Sequence, residues 1–456
     1  MIKKSVAIIG AGITGLTAAF ALKRRGIPVT VYEAGPRVGG VIRSQRRDGF
    51  LAESGPNTIL ETAPEISQLI RDLNLESRRL YSSPAVRARF IVRNRRPVPV
   101  PSSPIGMITS KLLSMNAKFA LLRERFVPRK QDDKDESLAE FVTRRLGPEF
   151  AERFADPLVA GIYAGDPRKL SVRHAFPRLA QLETKYGSIM KGQVSVLREC
   201  KKTGQTPRNR APSFSFDEGL QVLPEILAAR LGDSVKLNTP VTRLVQNAET
   251  WRVMTANGEA EHTAVIYCGT AYQLAKLDMT TQKPVDLSAF AKIRYAPVAA
   301  VVLGFRREDM SHPCNGFGVL IPAIEGFKIL GTIFSSALFP NRAPANHLLL
   351  TTYIGGERHP ELAALGPNEL VELAQNDLRV LLGATGKPVF EHTALYSKAI
   401  PQYNVGYGEF KASMDEIESK ARGLFFAGHF RDGVALGDLI VAANTVAERV
   451  SKEIFK

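Results

Sequence analysis

Val6-Ala7-Ile8-Ile9 running into Gly10-Ala11-Gly12-Ile13-Thr14-Gly15 is the stretch that decides the fold. An apolar run of strand length meets a glycine-rich loop, the loop opens a helix-like stretch, and a second apolar run, Val29 to Val31, ends near Glu33. In such a unit Gly10 permits the tight turn, Gly12 lets the backbone approach a pyrophosphate, and Gly15 brings helix against strand. The helix N-terminus holds the phosphates. Glu33, about twenty residues past the loop, is placed to accept hydrogen bonds from ribose hydroxyls and to repel a 2'-phosphate. The pattern predicts a Rossmann unit for a dinucleotide whose adenosine lacks that phosphate.

Working outward, the 456 residues exceed one ordinary core, so two or three domains are expected. The 44% apolar and 23% charged residues are those of a globular chain rather than a disordered one. A net charge of +16 predicts an acidic partner, whether nucleic acid, anionic lipid or a polycarboxylate substrate, and charge alone does not choose among them. Cys200, Cys268 and Cys314 lie far apart, with no CxxC and no histidine at metal spacing, which predicts reduced thiols in a cytosolic protein. Lys3-Lys4 followed by the uncharged residues 5–22 imitates a signal peptide or short membrane helix. The glycine spacing and the missing cleavage pattern argue against that reading. A soluble or peripherally attached cytoplasmic protein is expected.

Past the opening unit, Asp48-Gly49 reads as a turn into a strand, and residues 63–73 carry Ile66, Leu69, Ile70 and Leu73 at helical spacing. From Arg87 to Lys130 eleven basic residues face one acid, Glu124. Pro97, Pro99, Pro101 and Pro104 predict an extended segment, and residues 105–126 then read as a basic amphipathic helix. Such a helix suits an anionic membrane surface or is simply a solvated basic face. Ser137-Leu138-Ala139-Glu140 starts another helix with a capping box, and helical patterns continue to about Leu197, with breaks expected at Pro157 and Asp166-Pro167. Residues 201–212 read as a mobile loop. Strand signals return over 235–244, 251–254, 264–269, 298–305, 316–321, 328–334 and 347–354, a helix over 368–382, and a last strand, glycine loop and helix from Gly423.

Glu33-Ala34-Gly35-Pro36-Arg37-Val38-Gly39-Gly40 resembles the extended fingerprint of the amine oxidase and protoporphyrinogen oxidase superfamily, whose dinucleotide is FAD. Gly428 and Gly433-Val434-Ala435-Leu436-Gly437 form a second glycine loop before a helix, suited to the electron-rich end of a reduced flavin. The cofactor contacts that the resemblance implies are Gly10, Ala11, Gly12, Ile13, Thr14, Gly15, Glu33, Ala34, Arg37, Gly39, Gly40, Val41, Gly55, Pro56, Asn57, Thr58, Val241, Gly428, Gly433, Val434, Ala435 and Leu436.

Gly55-Pro56-Asn57-Thr58, Gly161-Ile162-Tyr163-Ala164-Gly165-Asp166-Pro167, Gly316-Phe317-Gly318-Val319-Leu320-Ile321-Pro322, Gly331-Thr332-Ile333-Phe334-Ser335-Ser336 and Ala399-Ile400-Pro401-Gln402-Tyr403 resemble the oxygen-dependent protoporphyrinogen oxidases in order and approximate spacing. That resemblance implies α/β plus α+β architecture: a discontinuous Rossmann-like FAD-binding domain (1–86, 215–280 and 390–456), a β-sheet substrate-binding domain (87–104 and 281–389), and an inserted helical, membrane-associating domain (105–214). It also implies that Arg89 pairs with a substrate propionate, with Arg93 on the same strand face in reserve. Arginine's planar fork meets a carboxylate bidentately. Leu320, Ile333 and Tyr353 would wall the tetrapyrrole site, with the Gly161 carbonyl facing pyrrole N–H groups. Tyr353 departs from the phenylalanine usual there, which puts the polarity of the pocket in question.

The chemistry asks little of side chains. A porphyrinogen meso carbon can give hydride to the flavin while pyrrole N–H protons leave, in three two-electron rounds with dioxygen as acceptor. No metal and no nucleophilic triad is expected, and His429 beside the second glycine loop is a candidate for tuning oxygen reactivity. The resemblance implies protoporphyrinogen IX as the substrate, with coproporphyrinogen III on the same scaffold the close alternative that the sequence does not separate from it. Remoter readings are a flavin amine oxidase, against which the single Trp251 in a peripheral strand counts, and a flavin-free binding protein of the same fold. Nucleic acid explains the charge but none of the motifs. A homodimer and a downstream chelatase partner stay open.

Overall fold

The computed structural model describes residues 4–83, 86, 88–101, 106, 109–203 and 211–455. Arg87, Pro104, Ile105 and residues 204–210 of the expected loop lie outside the described residues.

The opening apolar run is a strand, Val6–Ile9, central in a five-stranded sheet ordered Val235–Lys236, Val29–Tyr32, Val6–Ile9, Ala264–Tyr267, Leu424–Phe426, with every pair parallel. Strands buried on both faces need apolar side chains at successive positions, and Val6, Ala7 and Ile8 are all fully buried. The helix Ile13–Arg24 is buried from Ile13 to Leu22. It packs between the helices Val222–Leu231 and Leu436–Ile454, so first and last segments share one core.

A second, seven-stranded sheet is ordered Phe390–Pro401, Tyr295–Arg306, His347–Gly355, Ile329–Phe334, Gly318–Leu320, Arg89–Arg93, Arg96–Pro99. One face is covered by the helix Pro367–Leu382 through Leu370, Ala374, Leu378 and Leu381, packed on Val301, Leu303, Phe305 and Leu350. Arg96–Pro99 is an edge strand, where Pro97 and Pro99 remove no ladder hydrogen bond from a neighbour. Phe390–Pro401, grouped with the cofactor domain by the sequence, pairs with Tyr295–Arg306 along its length and belongs to this sheet. Trp251 stands in a separate four-stranded sheet, fully buried, with its indole N–H donated to the Arg422 carbonyl at 3.0 Å.

The helical insertion differs from its sequence reading in two places. Of the basic amphipathic helix expected over 105–126, Gly106 and Thr109 are helical, the described residues 110–114 are not, and a helix Met115–Arg123 follows with a 3-10 turn Glu124–Phe126. Its start is fixed by Ser114, whose hydroxyl accepts from the Ala117 N–H at 3.2 Å while its own N–H donates to Glu149 at 2.9 Å. Pro157 does not break its helix. It sits in the first turn of Asp156–Tyr163, directly after a π-turn Ala151–Ala155, where the missing N–H costs little. The break comes at Ala164, in the left-handed region at φ +47°. Ser137 and Glu140 form the expected capping box. The insertion is knotted by a fully buried ion pair, Arg145 with Glu124, and the Glu124 carboxylate also accepts from the Ser188 hydroxyl at 2.6 Å and the Ile189 N–H at 2.8 Å. Removing one partner of such a pair costs about 3–5 kcal/mol, because the other stays buried and uncompensated.

Candidate active site

The first glycine loop has the geometry of an anion cradle. Gly10 turns at φ +103°, and a Cβ on Gly15 would overlap the Gly10 carbonyl oxygen, so only glycine lets the helix close onto the turn. Gly12 is the N-cap and faces open space. Ile13 and Thr14 begin a helix with no side-chain cap and no acid in its first turn, which leaves its terminal N–H groups for a ligand. Glu33 closes the cradle: its carboxylate accepts from the Ala11 N–H and the Gly35 N–H, both at 2.8 Å, so Ala34 is held between two fixed residues. The Gly39 N–H donates to the Ala11 carbonyl at 2.8 Å, and Arg37 binds the carbonyls of Val38, Ile42 and Gly40. That clamp shapes the Gly39-Gly40-Val41 turn, with Val41 exposed. Val241 follows a segment tied back to this site, where Asn238 and Thr239 donate to the carbonyls of Gly35 and Glu33.

The second glycine loop leaves the Leu424–Phe426 strand of the same sheet. The Gly428 N–H donates to Asp432 at 2.7 Å, and the Gly433 N–H to the Tyr403 hydroxyl at 2.9 Å, which itself donates to the His429 carbonyl at 2.7 Å. Burial drops the His429 imidazole to about 4, so it is neutral at neutral pH. Val434, Ala435, Leu436 and Gly437 then line a cavity of about 210 Å³ with Pro56, Thr58, Leu60, Thr62 and Ile162. Strands, loops and a helix-insertion residue widely separated in sequence thus meet at the end of the parallel sheet.

Register brings the expected substrate residues onto one face of the seven-stranded sheet, opposite the helix Pro367–Leu382. Arg89, Gly318, Ile333 and Thr351 form one rung, and Ile91, Leu320, Gly331 and Tyr353 the next. Residues two apart on a strand share a face, so the rungs lie about 7 Å apart and the four strands span about 14 Å. The helix Asp156–Tyr163 closes over them: a Cβ on Gly161 would sit 2.6 Å from Leu320 Cδ2. The Gly161 carbonyl lies in that helix's final turn, where carbonyls lack intrahelical partners.

Arg89 is solvent-accessible, yet desolvation by the surrounding protein lowers its pKa, as expected of a guanidinium lining a cleft rather than a convex surface. It lies 5.2 Å from the centroid of Phe317 and makes no ion pair among the described residues. Arg93 is committed elsewhere, to the Leu112 carbonyl and, at 3.5 Å, to Glu149. The Tyr353 hydroxyl donates to the Gly55 carbonyl at 3.0 Å and accepts from Asn57 Nδ2 at 2.7 Å, so its polar end is turned toward the Gly55-Pro56-Asn57-Thr58 loop. Burial raises its pKa.

Sequence reasoning missed Ile162, Leu60 and Thr62 as lining residues, Phe317 beneath Arg89, and Tyr403 as the residue holding Gly433. Ile162, Phe317 and Tyr403 stand inside motifs the sequence did single out. Leu60 and Thr62 carry no local signal. No cluster of His, Cys, Asp and Glu suited to a metal occurs among the described residues. Cys268 and Cys314 are buried free thiols, and burial raises both.

The family model described as flavin containing amine oxidoreductase matches residues 13–451. The chain belongs to this family. It is 36% identical to protoporphyrinogen oxidase 2, chloroplastic/mitochondrial, of Arabidopsis thaliana, over 98% of this chain and 94% of the relative. It is 30% identical to coproporphyrinogen III oxidase of Bacillus subtilis (strain 168), over 96% of each. Among solved structures, one from Exiguobacterium sp. 255-15 superposes with a TM-score of 0.81 over 99% of this chain and 100% of that one, at 24% identity. The cyclohexylamine oxidase of Brevibacterium oxydans IH-35A superposes at 0.69 over 100% of each, at 17%. The protein is therefore a flavin-dependent oxidoreductase of mixed α/β fold. A dinucleotide cradle in a flavin family makes the cofactor FAD, and the open Gly12, the uncapped helix and the Glu33 carboxylate fit it.

Proposed function

We propose that the protein oxidises protoporphyrinogen IX to protoporphyrin IX with dioxygen as acceptor, in tetrapyrrole biosynthesis. The single observation that carries this reading is Arg89, an arginine with no ion pair among the described residues, on the same sheet face as an apolar wall of Leu320, Ile333 and Tyr353. A propionate-bearing macrocycle asks for one anchored carboxylate and a broad apolar bed, and a bed about 14 Å across suits it. FAD, bound across the two glycine loops of a Rossmann-like domain, supplies the two-electron oxidation. The chain's own residues orient and exclude. Arg89 binds the propionate, Leu320 and Ile333 hold the ring plane, the Gly161 carbonyl accepts from pyrrole N–H groups, and Ile162 and Leu436 narrow the way to the flavin. Arg93 serves as a second cation only by giving up Glu149.

Coproporphyrinogen III, with four propionates, calls for more free cations in the cleft. Nearby arginines are paired: Arg93 with Glu149, Arg153 with Glu325 at 3.4 Å and with Glu149, and Arg358 with Asp156 at 2.8 Å. This favours the substrate with two propionates. Turnover of both porphyrinogens by the FAD-loaded protein is the test.

The helical insertion supports peripheral attachment to an anionic membrane. Met115, Phe119, Leu122 and Phe126 recur at helical spacing and are 64%, 59%, 53% and 71% exposed, while Ala117, Leu121 and Glu124 on the other side are buried. Lys118, Arg123 and Arg125 flank the stripe, the composition of an interfacial helix. Among the described residues no helix is long and apolar enough to cross a membrane.

A further inference from the structure

Tyr353 carries a hydroxyl where an apolar ring would suffice to wall the pocket, and that hydroxyl is the end of a polar chain. It donates to the Gly55 carbonyl at 3.0 Å and accepts from Asn57 Nδ2 at 2.7 Å. Asn57 Oδ1 accepts from the Ser335 hydroxyl at 3.5 Å, and Ser335 Oγ lies 2.8 Å from Thr351 Oγ1. Asn57, Ser335 and Thr351 are buried at 7%, 5% and 1% exposure, so water does not substitute for these partners. Tyr353 and Thr351 belong to the middle of the seven-stranded sheet, and Ser335 immediately follows a neighbouring strand. Gly55 and Asn57 belong to the loop whose next residues, Pro56 and Thr58, line the cavity against the N-terminus of the last helix. Gly55 is itself packed so closely on the Val41 carbonyl that a Cβ would overlap it.

We infer that Tyr353 is a positioning residue that ties the substrate sheet to the flavin loop, fixing the loop through Gly55 and Asn57 while its ring serves as pocket wall. Buried polar groups that are fully partnered hold one arrangement, and a half-satisfied network does not. Loss of the hydroxyl leaves the Asn57 amide and the Gly55 carbonyl each one partner short, with only their mutual hydrogen bond of 3.2 Å remaining between them. The same arrangement settles the polarity of the wall: the hydroxyl is consumed by the loop, and the ring alone faces the substrate. The inference rests on the placement of the flavin between the two glycine loops and deepens the reading of the pocket.

The test compares the FAD-loaded wild type with Tyr353→Phe, Asn57→Ser and the double variant. FAD affinity is read from the quenching of flavin fluorescence, the flavin environment from its visible spectrum, and turnover from porphyrin formation. Tyr353→Phe is expected to weaken FAD binding about tenfold, as one buried hydrogen bond does, to shift the flavin bands, and to lower kcat with KM within about twofold. The double variant should bind FAD no more weakly than Asn57→Ser, because both changes break one network. An unchanged spectrum and FAD affinity in Tyr353→Phe overturns the inference, as does a rise in KM alone or strictly additive losses. Should Tyr353→Phe fail to fold, Asn57→Ser carries the same flavin readouts. A shifted flavin in a protein that turns over neither porphyrinogen upholds the tie and removes the substrate reading.

Discussion

Replacing Arg89 by alanine separates substrate binding from folding unusually cleanly. Arg89 makes no ion pair among the described residues, so its loss strands no buried acid. The contact given up is with the Phe317 ring, 5.2 Å away, worth about 0.5 kcal/mol at an accessible site. Thermal stability should therefore move by no more than about 2 °C. Binding is another matter, because a guanidinium to carboxylate hydrogen bond contributes about 1.5–3 kcal/mol. That converts to a KM for porphyrinogen raised about 10- to 100-fold, while kcat, governed by the flavin and the ring's placement, changes by less than about threefold. Arg89→Lys should fall between, keeping charge and losing the fork. Initial rates over a range of porphyrinogen concentrations, alongside melting curves, give both quantities. A KM for Arg89→Ala within twofold of wild type, in a folded and flavin-loaded protein, refutes the propionate assignment.

Glu33→Gln should weaken FAD binding about 10- to 100-fold, since an amide cannot accept from the Ala11 and Gly35 N–H groups on both sides; titration of the apoprotein measures it, and an unchanged Kd contradicts the cradle. Phe119→Ser with Phe126→Ser removes two exposed rings and should cut cosedimentation with anionic vesicles at least about tenfold, leaving the fold intact; undiminished binding contradicts the membrane stripe. His262 lies in the hydrogen bonds of Ser5 and Tyr32, and burial lowers it from 6.5 to about 4. The unfolded chain then binds the extra proton first, so this contribution is complete above about pH 6.5 and is lost as pH falls toward 4, by about 3 kcal/mol in all. Denaturant curves at pH 4.5 and 7 should show His262→Gln with a visibly smaller pH dependence than wild type; an identical slope contradicts the assignment.

What was legible in the sequence was local. The glycine loop, Glu33, the Ser137 capping box and the alternation that put Arg89 on one strand face each follow from neighbours a few residues away. What was not legible depends on partners far along the chain. The basic stretch is broken before Met115, where Glu149 holds Ser114 from another helix, and Pro157 is tolerated because a π-turn precedes it. Phe390–Pro401 joins the substrate sheet through its pairing with Tyr295–Arg306, a choice of neighbour that no periodicity encodes. The departure at Tyr353 was visible as a hydroxyl in an apolar motif. Its meaning was not, because Gly55 and Asn57, which consume it, lie nearly three hundred residues earlier. Arg93 looked equivalent to Arg89 by strand alternation, and only the fold reveals that Glu149 and Leu112 already hold it.

The most direct measurement is anaerobic mixing of the FAD-loaded protein with protoporphyrinogen IX or coproporphyrinogen III, following the flavin band and porphyrin absorbance together, then admitting dioxygen to obtain kcat/KM for each. The account predicts bleaching of the flavin by protoporphyrinogen, porphyrin formed in step with it, recovery of the band with dioxygen, and a kcat/KM for protoporphyrinogen at least about tenfold above that for coproporphyrinogen, the cost of leaving even one of its two additional carboxylates unmet. A preference for coproporphyrinogen, or a flavin that neither porphyrinogen reduces, contradicts it.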